Sequence, residues 1–372
     1  MRVAFDCRYT RLDRHDGISR YTAGLVTELA KLQPVTMLIS DHRQLAMLPD
    51  LPWQLVSSPT SIREPFVALA VNGLRPDVVF SPMQTMGSWG RKYRLLLTVH
   101  DLIYYRNRTP PREFAWPIRL LWRLYHLSWW PQRMLLNRAD GVVTVSETTR
   151  ALIAEHSLTD RPVTVIPNAA DAVPGAGVDR SAPETGRLVY MGSFMPYKNV
   201  DTLVRAVAGL PGHELHLMSR ITPEERARLS GLAPEAALVF HDGASDEEYY
   251  AVLRSATALV TASLDEGFGI PLVEAMSLGI PVVASDIPIF REIGGDAALY
   301  FDPRSPDALG AAVRRLGRPG EWAARSKEST RQAARFTWRE SARKLLDALE
   351  DTPARTRAQA RGTRTQVRGT RT

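Results

Sequence analysis

The chain has 372 residues, 44% of them hydrophobic, with one cysteine and a net charge of +7. That length and apolar content build two domains rather than one, and the lone Cys7 excludes an intrachain disulfide and a cysteine-built metal cluster. Residues 351–372 hold six arginines against one aspartate, so the rest of the chain is only +2 and the basicity does not argue for specific nucleic-acid binding. The N-terminus reads as a strand rather than a signal peptide, and no uncharged run reaches the roughly 18–20 residues of a spanning helix. These features predict a cytoplasmic protein, with peripheral contact at the inner face of the plasma membrane as the membrane option.

The first half alternates short apolar runs with longer amphipathic ones, the pattern of a parallel sheet covered by helices. Strands are expected at Val3–Cys7, Val35–Ser40, Trp53–Ser57, Asp77–Ser81, Leu95–His100, Val142–Ser146 and Val163–Pro167. Gly17 stands at the first strand-to-helix turn, where a glycine lets backbone approach a ligand. The helix after it carries Ile18, Tyr21, Leu25, Leu29 and Leu32 at helical spacing. The fifth strand ends in His100 and Asp101; the histidine is either a sugar contact or a polar strand end, and Asp101 either orients it or caps the next loop.

Residues 113–138 are rich in tryptophan and arginine. The expectation is a core helix with a cationic outer face, interrupted by Pro117 and Pro131; the competing reading places the segment on an anionic membrane, together with the arginine tail. Residues 173–186 have the Ala, Pro and Gly content of a linker. A second alternating series follows, with strands near Leu188–Gly192, Glu214–Met218, Leu238–His241, Ala258–Ala262, Pro281–Ser285 and Leu299–Phe301. The fold expected is α/β, two Rossmann-like units joined by a hinge, with a ligand cleft between facing carboxyl edges.

Two positions in the second unit stand out. Lys198, one of five lysines in an arginine-dominated chain, precedes a helix beginning near Val200, where an ammonium could reach a diphosphate. The stretch Leu264–Leu278 places Glu266 and Glu274 on either side of a glycine-bearing turn, with Pro271 suited to the first turn of the following helix. The amides of Phe268, Gly269 and Ile270 would then lie at a helix start, able to receive phosphate or sugar oxygens. Residues 351–372 repeat Arg-Gly-Thr-Arg-Thr and are expected to be disordered.

Taken in order, Gly17-Ile-Ser-Arg-Tyr, Val99-His-Asp-Leu, Val145-Ser, Val165-Ile-Pro-Asn, Gly192-x5-Lys198-Asn, Glu266-Gly-Phe-Gly-Ile-Pro-Leu-Val-Glu274-Ala-Met and Gly294-Gly-Asp-Ala-Ala resemble the retaining, family 4 glycosyltransferases of GT-B architecture. The resemblance covers residues 1 to about 350. It implies an acceptor-side domain over 1–172, a linker over 173–186, a nucleotide-sugar-binding domain over 187–335 and a helix over 336–350 that packs back on the first domain. By the same resemblance Glu274 would take the nucleotide ribose hydroxyls, while Glu266 and the amides of Phe268 to Ile270 hold the donor sugar. Lys198 would neutralise the diphosphate, Gly17 would approach the phosphates from across the cleft, and His100 would contact the sugar near the reacting centre.

The catalytic set implied is His100, Lys198 and Glu266, with no metal and no cofactor beyond the nucleotide-sugar co-substrate. Ser193 falls in the donor loop where many relatives carry an arginine. The form Gly-Ser-x-x-Pro-x-Lys-Asn resembles mannosyltransferases of bacterial polysaccharide assembly, which points to GDP-mannose as donor and a glycan or glycolipid of the cell envelope as acceptor. Two other readings share the architecture: a sugar-nucleotide epimerase, which lacks the Glu266–Glu274 run in this form, and a non-catalytic nucleotide-sugar or glycan-binding relative.

Overall fold

The computed structural model describes residues 1–110, 116–171, 182–183 and 186–353. Most of the expected linker and the tail beyond Pro353 lie outside the described residues. The chain divides into two compact units, one formed by Met1–Pro167 together with the chain from Trp338 onward, the other by Asn168–Thr337.

The first unit is built on a seven-stranded parallel sheet in the order β3-β2-β1-β4-β5-β6-β7. The strands are β1 (Val3–Asp6), β2 (Val35–Ile39), β3 (Trp53–Leu55), β4 (Val78–Ser81), β5 (Arg94–Val99), β6 (Gly141–Thr144) and β7 (Val163–Val165). Central strands such as β1, β4 and β6 are buried at every position, as a parallel sheet covered on both faces requires. Its helices before the second unit are α1 (Gly17–Ala30), α2 (Val67–Val71), α3 (Ile103–Arg106), α4 (Trp116–Tyr125), α5 (Trp130–Leu136) and α6 (Glu147–Glu155). Asp16 caps α1 by accepting from the Ser19 amide at 2.9 Å.

The second unit has six parallel strands in the order β10-β9-β8-β11-β12-β13. These are β8 (Arg187–Tyr190), β9 (Glu214–Leu217), β10 (Leu238–Phe240), β11 (Ala258–Thr261), β12 (Val282–Ser285) and β13 (Leu299–Phe301). The helices are α7 (Val200–Ala208), α8 (Pro223–Leu232), α9 (Asp246–Arg254), α10 (Ile270–Ser277), α11 (Pro288–Gly294), α12 (Pro306–Leu316) and α13 (Glu321–Ala333). In both sheets the strand order reverses once, between β1 and β4 and between β8 and β11. At such a point adjacent crossovers depart in opposite directions and leave a crevice at the carboxyl ends of the strands.

The last helix, α14 (Trp338–Asp351), belongs to the first unit and packs along α1. Trp338 meets Tyr21 edge-on with ring centroids 6.1 Å apart. The space the indole occupies exists because residue 24 is glycine: a Cβ there would lie 2.4 Å from the indole. Arg94 at the start of β5 donates to the Leu349 carbonyl at 3.0 Å, tying the far end of α14 to the sheet.

The tryptophan-rich segment departs from the expected core helix. None of the side chains of α4 is buried; Trp116, Ile118, Leu120, Leu121 and Leu124 are all exposed. The cause is that aromatic residues form the inward contacts, Trp122 against Tyr104 at 5.1 Å and His126 against Tyr105 at 4.9 Å, leaving the aliphatic stripe outside. Pro131 sits in the first turn of α5, and the path between Tyr125 and Trp130 is non-helical. Among the described residues no helix is long and apolar enough to cross a membrane.

Candidate active site

In the second unit, the segments leaving β8 and β11 meet at the strand-order reversal. After β8 the chain turns through Gly192, where a Cβ would lie 2.7 Å from the Tyr190 hydroxyl. That hydroxyl donates to the Ser193 carbonyl at 2.7 Å, fixing the loop from beneath. Burial, aided by the nearby Glu266 charge, pushes the Tyr190 phenol well above its ordinary range, so it stays a donor. Ser193 itself is exposed.

Pro196–Lys198 forms a single 3-10 turn, and Asn199 follows in the left-handed conformation at φ 51°. The Asn199 carboxamide donates to the carbonyls of Ala262 and Pro303 at 3.2 and 2.7 Å. The Leu264 amide donates to the Tyr197 carbonyl at 2.8 Å. These bonds pin the turn to the segments that follow β11 and β13, and they bring Lys198 to Glu266.

The Lys198 Nζ lies 2.5 Å from Glu266 Oε1, with the side chains 16% and 14% exposed. The same carboxylate oxygen accepts from the Ser263 hydroxyl at 2.9 Å. This ion pair is open enough for an incoming anion to share the lysine, yet shielded enough for its charge to act strongly.

Four residues on, α10 begins. Gly269 has φ 96° and a Cβ there would lie 3.0 Å from the Phe290 ring, so both backbone and space select glycine. Pro271 falls in the first helical turn. Among the described residues the N–H groups of Phe268, Gly269 and Ile270 donate to no backbone carbonyl, and they sit where the helix dipole favours negative charge. Phe268 is buried and meets Phe336 edge-on at 5.6 Å, which anchors the turn.

Glu274 is placed differently from Glu266. It is only 3% exposed, and its two oxygens accept from the hydroxyls of Tyr249 at 3.0 Å and Tyr250 at 3.3 Å. Both tyrosines lie on α9. The sequence reading passed over them, although the acidic first turn before two adjacent aromatics marks a helix whose ring hydroxyls need partners.

The remaining two site candidates belong to the first unit. His100, just after β5, donates through Nε2 to the Pro82 carbonyl at 2.7 Å and meets Tyr21 edge-on at 5.0 Å. Part of its surface remains accessible, but removal of water from the ring pushes its pKa down to about 4, against the opposing pull of the Pro82 carbonyl and Asp16. The imidazole is therefore neutral at pH 7. Asp101 accepts from the Ile103 amide at 3.0 Å and so caps the following turn. Gly17 is exposed at the start of α1 and is absent from the positive-φ glycines, so its backbone geometry does not demand glycine.

The carboxyl end of β1 holds a charged cluster that sequence reading did not find. Arg8 donates to both Asp6 oxygens at 2.8 and 3.0 Å and to both Glu64 oxygens at 2.6 and 3.0 Å. The two carboxylates hold the Arg8 guanidinium firmly charged despite its burial. A cavity of about 520 Å³ opens beside it, with Arg11, Asp16, Gln44, Ser58 and Thr60 among its lining residues.

The family described as Glycosyltransferase Family 4 matches residues 15–173, and the family described as Glycosyl transferases group 1 matches residues 179–335. The O-antigen chain mannosyltransferase RfbU of Salmonella typhimurium is 24% identical over 322 residues, spanning 81% of this chain and 87% of that protein. The MMP alpha-(1->4)-mannosyltransferase of Mycolicibacterium hassiacum is 29% identical, spanning 72% of this chain and 67% of that protein. Among solved structures, the sucrose-phosphate synthase of Thermosynechococcus elongatus superposes with a TM-score of 0.71 at 21% identity, covering 94% of this chain and 98% of that one. With the two matched families lying on the two parallel-sheet units, the chain belongs to the family 4-like glycosyltransferases of GT-B architecture, and it is a glycosyltransferase similar to bacterial mannosyltransferases.

Proposed function

We propose that this glycosyltransferase moves mannose from GDP-mannose to a glycan or glycolipid of the bacterial cell envelope, with retention at the anomeric carbon. The observation that carries the reading is the Lys198–Glu266 pair beside the helix-start amides of Phe268 to Ile270. The bond that breaks joins C1 of the sugar to a phosphate oxygen. The acceptor oxygen bonds to C1 on the same face, and its proton passes to the departing phosphate oxygen. Negative charge thus grows on the diphosphate, where Lys198 and the amides stabilise it more in the transition state than in the ground state.

Glu266 orients the donor sugar in this scheme, and Glu274, held by Tyr249 and Tyr250, receives the ribose. The resemblance assigns His100 to the donor sugar and Gly17 to the phosphates. A neutral His100 suits contact with a sugar hydroxyl, since it neither repels nor titrates near pH 7. The acceptor is assigned to the first unit, whose polar cavity beside Arg11 and Gln44 falls in the size range of small-molecule sites. The mannosyl choice rests on the relatives with mannosyltransferase names.

The test is a thermal-shift series with GDP-, UDP- and ADP-sugars, followed by transfer assays on oligosaccharide and lipid-linked acceptors. A ligand that binds only the native protein raises its melting temperature. GDP-mannose should give the largest rise and should be consumed only when acceptor is present. A larger rise with a UDP- or ADP-sugar overturns the donor assignment, and interconversion of the donor without acceptor overturns the transferase reading.

A further inference from the structure

In the second unit two histidines face each other between two carboxylates. His216 lies on β9 and His241 directly follows β10. Nδ1 of His216 and Nε2 of His241 are 3.0 Å apart. Each outer nitrogen meets a glutamate: Nε2 of His216 lies 3.4 Å from Glu214, and Nδ1 of His241 lies 2.6 Å from Glu248. The imidazoles are only 7% and 12% exposed, whereas about half of each carboxylate side chain is in solvent.

Both ends of this chain are carboxylates that only accept, so each of its links needs a proton on a ring nitrogen. Two neutral imidazoles carry one proton fewer than the links require. Without the extra proton the long contact to Glu214 is the one to lapse; with it every link closes and His241 meets Glu248 as a charged pair. Among the described residues no three His, Cys, Asp or Glu side chains converge on a metal site, so a proton is the cation that fits. Burial holds the His216 pKa below its ordinary value, joined by His241 and by Arg187 of β8 and opposed by Glu214. Of the other charges nearby, Asp242 accepts from the Ile221 amide at 3.1 Å and Arg226 of α8 lies over the Phe240 ring at 4.9 Å.

Glu248 is the third residue of α9, and its amide donates to the Ser245 cap at 3.1 Å. The next two residues are Tyr249 and Tyr250, whose hydroxyls hold Glu274. A pair with one partner so open to solvent adds little to stability. Its effect is on position: Glu248 held against the end of β10 fixes the rotation of the first turn of α9, and so where the two phenols reach.

We infer that His241 and Glu248 are positioning residues for the nucleotide site, and that a proton shared by His216 and His241 tightens donor binding through α9. The inference rests on the reading of Glu274 as the ribose ligand.

The experiment measures, by calorimetry in EDTA, the Kd of GDP-mannose and in parallel of UDP-glucose for the full chain between about pH 5.5 and 8, the range in which histidine titrates. Both probes are diphosphate diesters that do not ionise there, so the profile reports the protein. Kd should fall about threefold as pH drops across the range, since ligand and proton favour the same arrangement. His241→Ala should weaken binding about fivefold at about pH 6 and remove the slope. His241→Asn keeps a donor for Glu248 but cannot titrate; it should recover the affinity and stay flat, with melting temperatures taken alongside. In proton–nitrogen spectra of labelled histidine the two rings should move in one shared titration. Unchanged Kd in His241→Ala, a wild-type slope in His241→Asn, or independent titration of the two rings would each overturn the inference. A Glu274→Ala control separates the two readings. If it weakens binding while the wild-type profile is flat, the positioning role fails and the ribose assignment stands; if it binds as wild type does, the ribose assignment fails and takes this inference with it.

Discussion

Lys198 and Glu266, separated by 68 residues in the chain, form a 2.5 Å ion pair in which the carboxylate oxygen is also held by Ser263. The pair makes the lysine's charge available only in competition with Glu266. Lys198→Ala should therefore lower kcat by about 10²–10³, the scale seen when one transition-state charge donor is lost, with a smaller change in donor KM. Glu266→Gln should split the effects, strengthening nucleoside diphosphate binding by releasing the lysine while slowing sugar transfer. Steady-state kinetics with product inhibition measures both, and two variants with wild-type rates would remove this pair from the mechanism.

The Glu274 carboxylate depends on two tyrosines. Tyr249→Phe takes a donor from a buried charged group and should cost about 1–3 kcal/mol in urea unfolding. Tyr250→Phe should cost less, since its bond is longer and Tyr250 is the more exposed of the two. Both should also weaken nucleotide binding if the orientation of Glu274 serves the ribose; unchanged affinity in a destabilised Tyr249→Phe protein would make the carboxylate purely structural.

Acid should destabilise the first unit through His100. Its folded pKa of about 4 lies below the ordinary histidine value of about 6.5, so between those values the unfolded chain binds a proton that the folded chain does not. Stability is then fully present above about pH 6.5, falls as pH drops, and levels below about pH 4, with a total of up to about 3 kcal/mol. Urea titrations of wild type and His100→Gln across this range should differ in slope, the variant being the flatter.

Gly269→Ala should destabilise the second unit by roughly 1–2 kcal/mol, because a side chain is strained at positive φ. Replacing Phe290 by Leu as well would relieve the contact but not the backbone, so the double variant should recover only part of the loss in thermal melting.

Transfer should persist in the presence of EDTA, because the leaving diphosphate is assigned to Lys198 and backbone amides. Abolition by EDTA with recovery on adding magnesium would require a metal in the reaction.

The central strands were legible because parallel strands buried on both faces must be short, continuous apolar runs, as in Val78–Ser81 and Ala258–Thr261. The helix start at Ile270 was equally legible from Gly269 and Pro271. What local pattern could not supply was pairing across long sequence distance. Arg8 meets Glu64 and Lys198 meets Glu266 only because the topology joins their strand ends, and the resemblance pointed to the second of these loops without indicating an ion pair. The misreading of α4 has a related cause. Apolar spacing shows that a stripe exists, but the inward side was decided by rings from Tyr104 and Tyr105, which lie outside the helix.

The return of the last helix to the first unit has a consequence for synthesis. As the ribosome releases the chain, residues 1–167 emerge long before Trp338, so α1 waits with its Gly24 notch empty until the whole second unit has been translated. The earliest part of the protein to appear is then among the last to be completed. A fragment cut before residue 338 would retain all seven strands of its sheet while exposing the groove on α1, and that bare groove is where chaperones should engage the nascent chain.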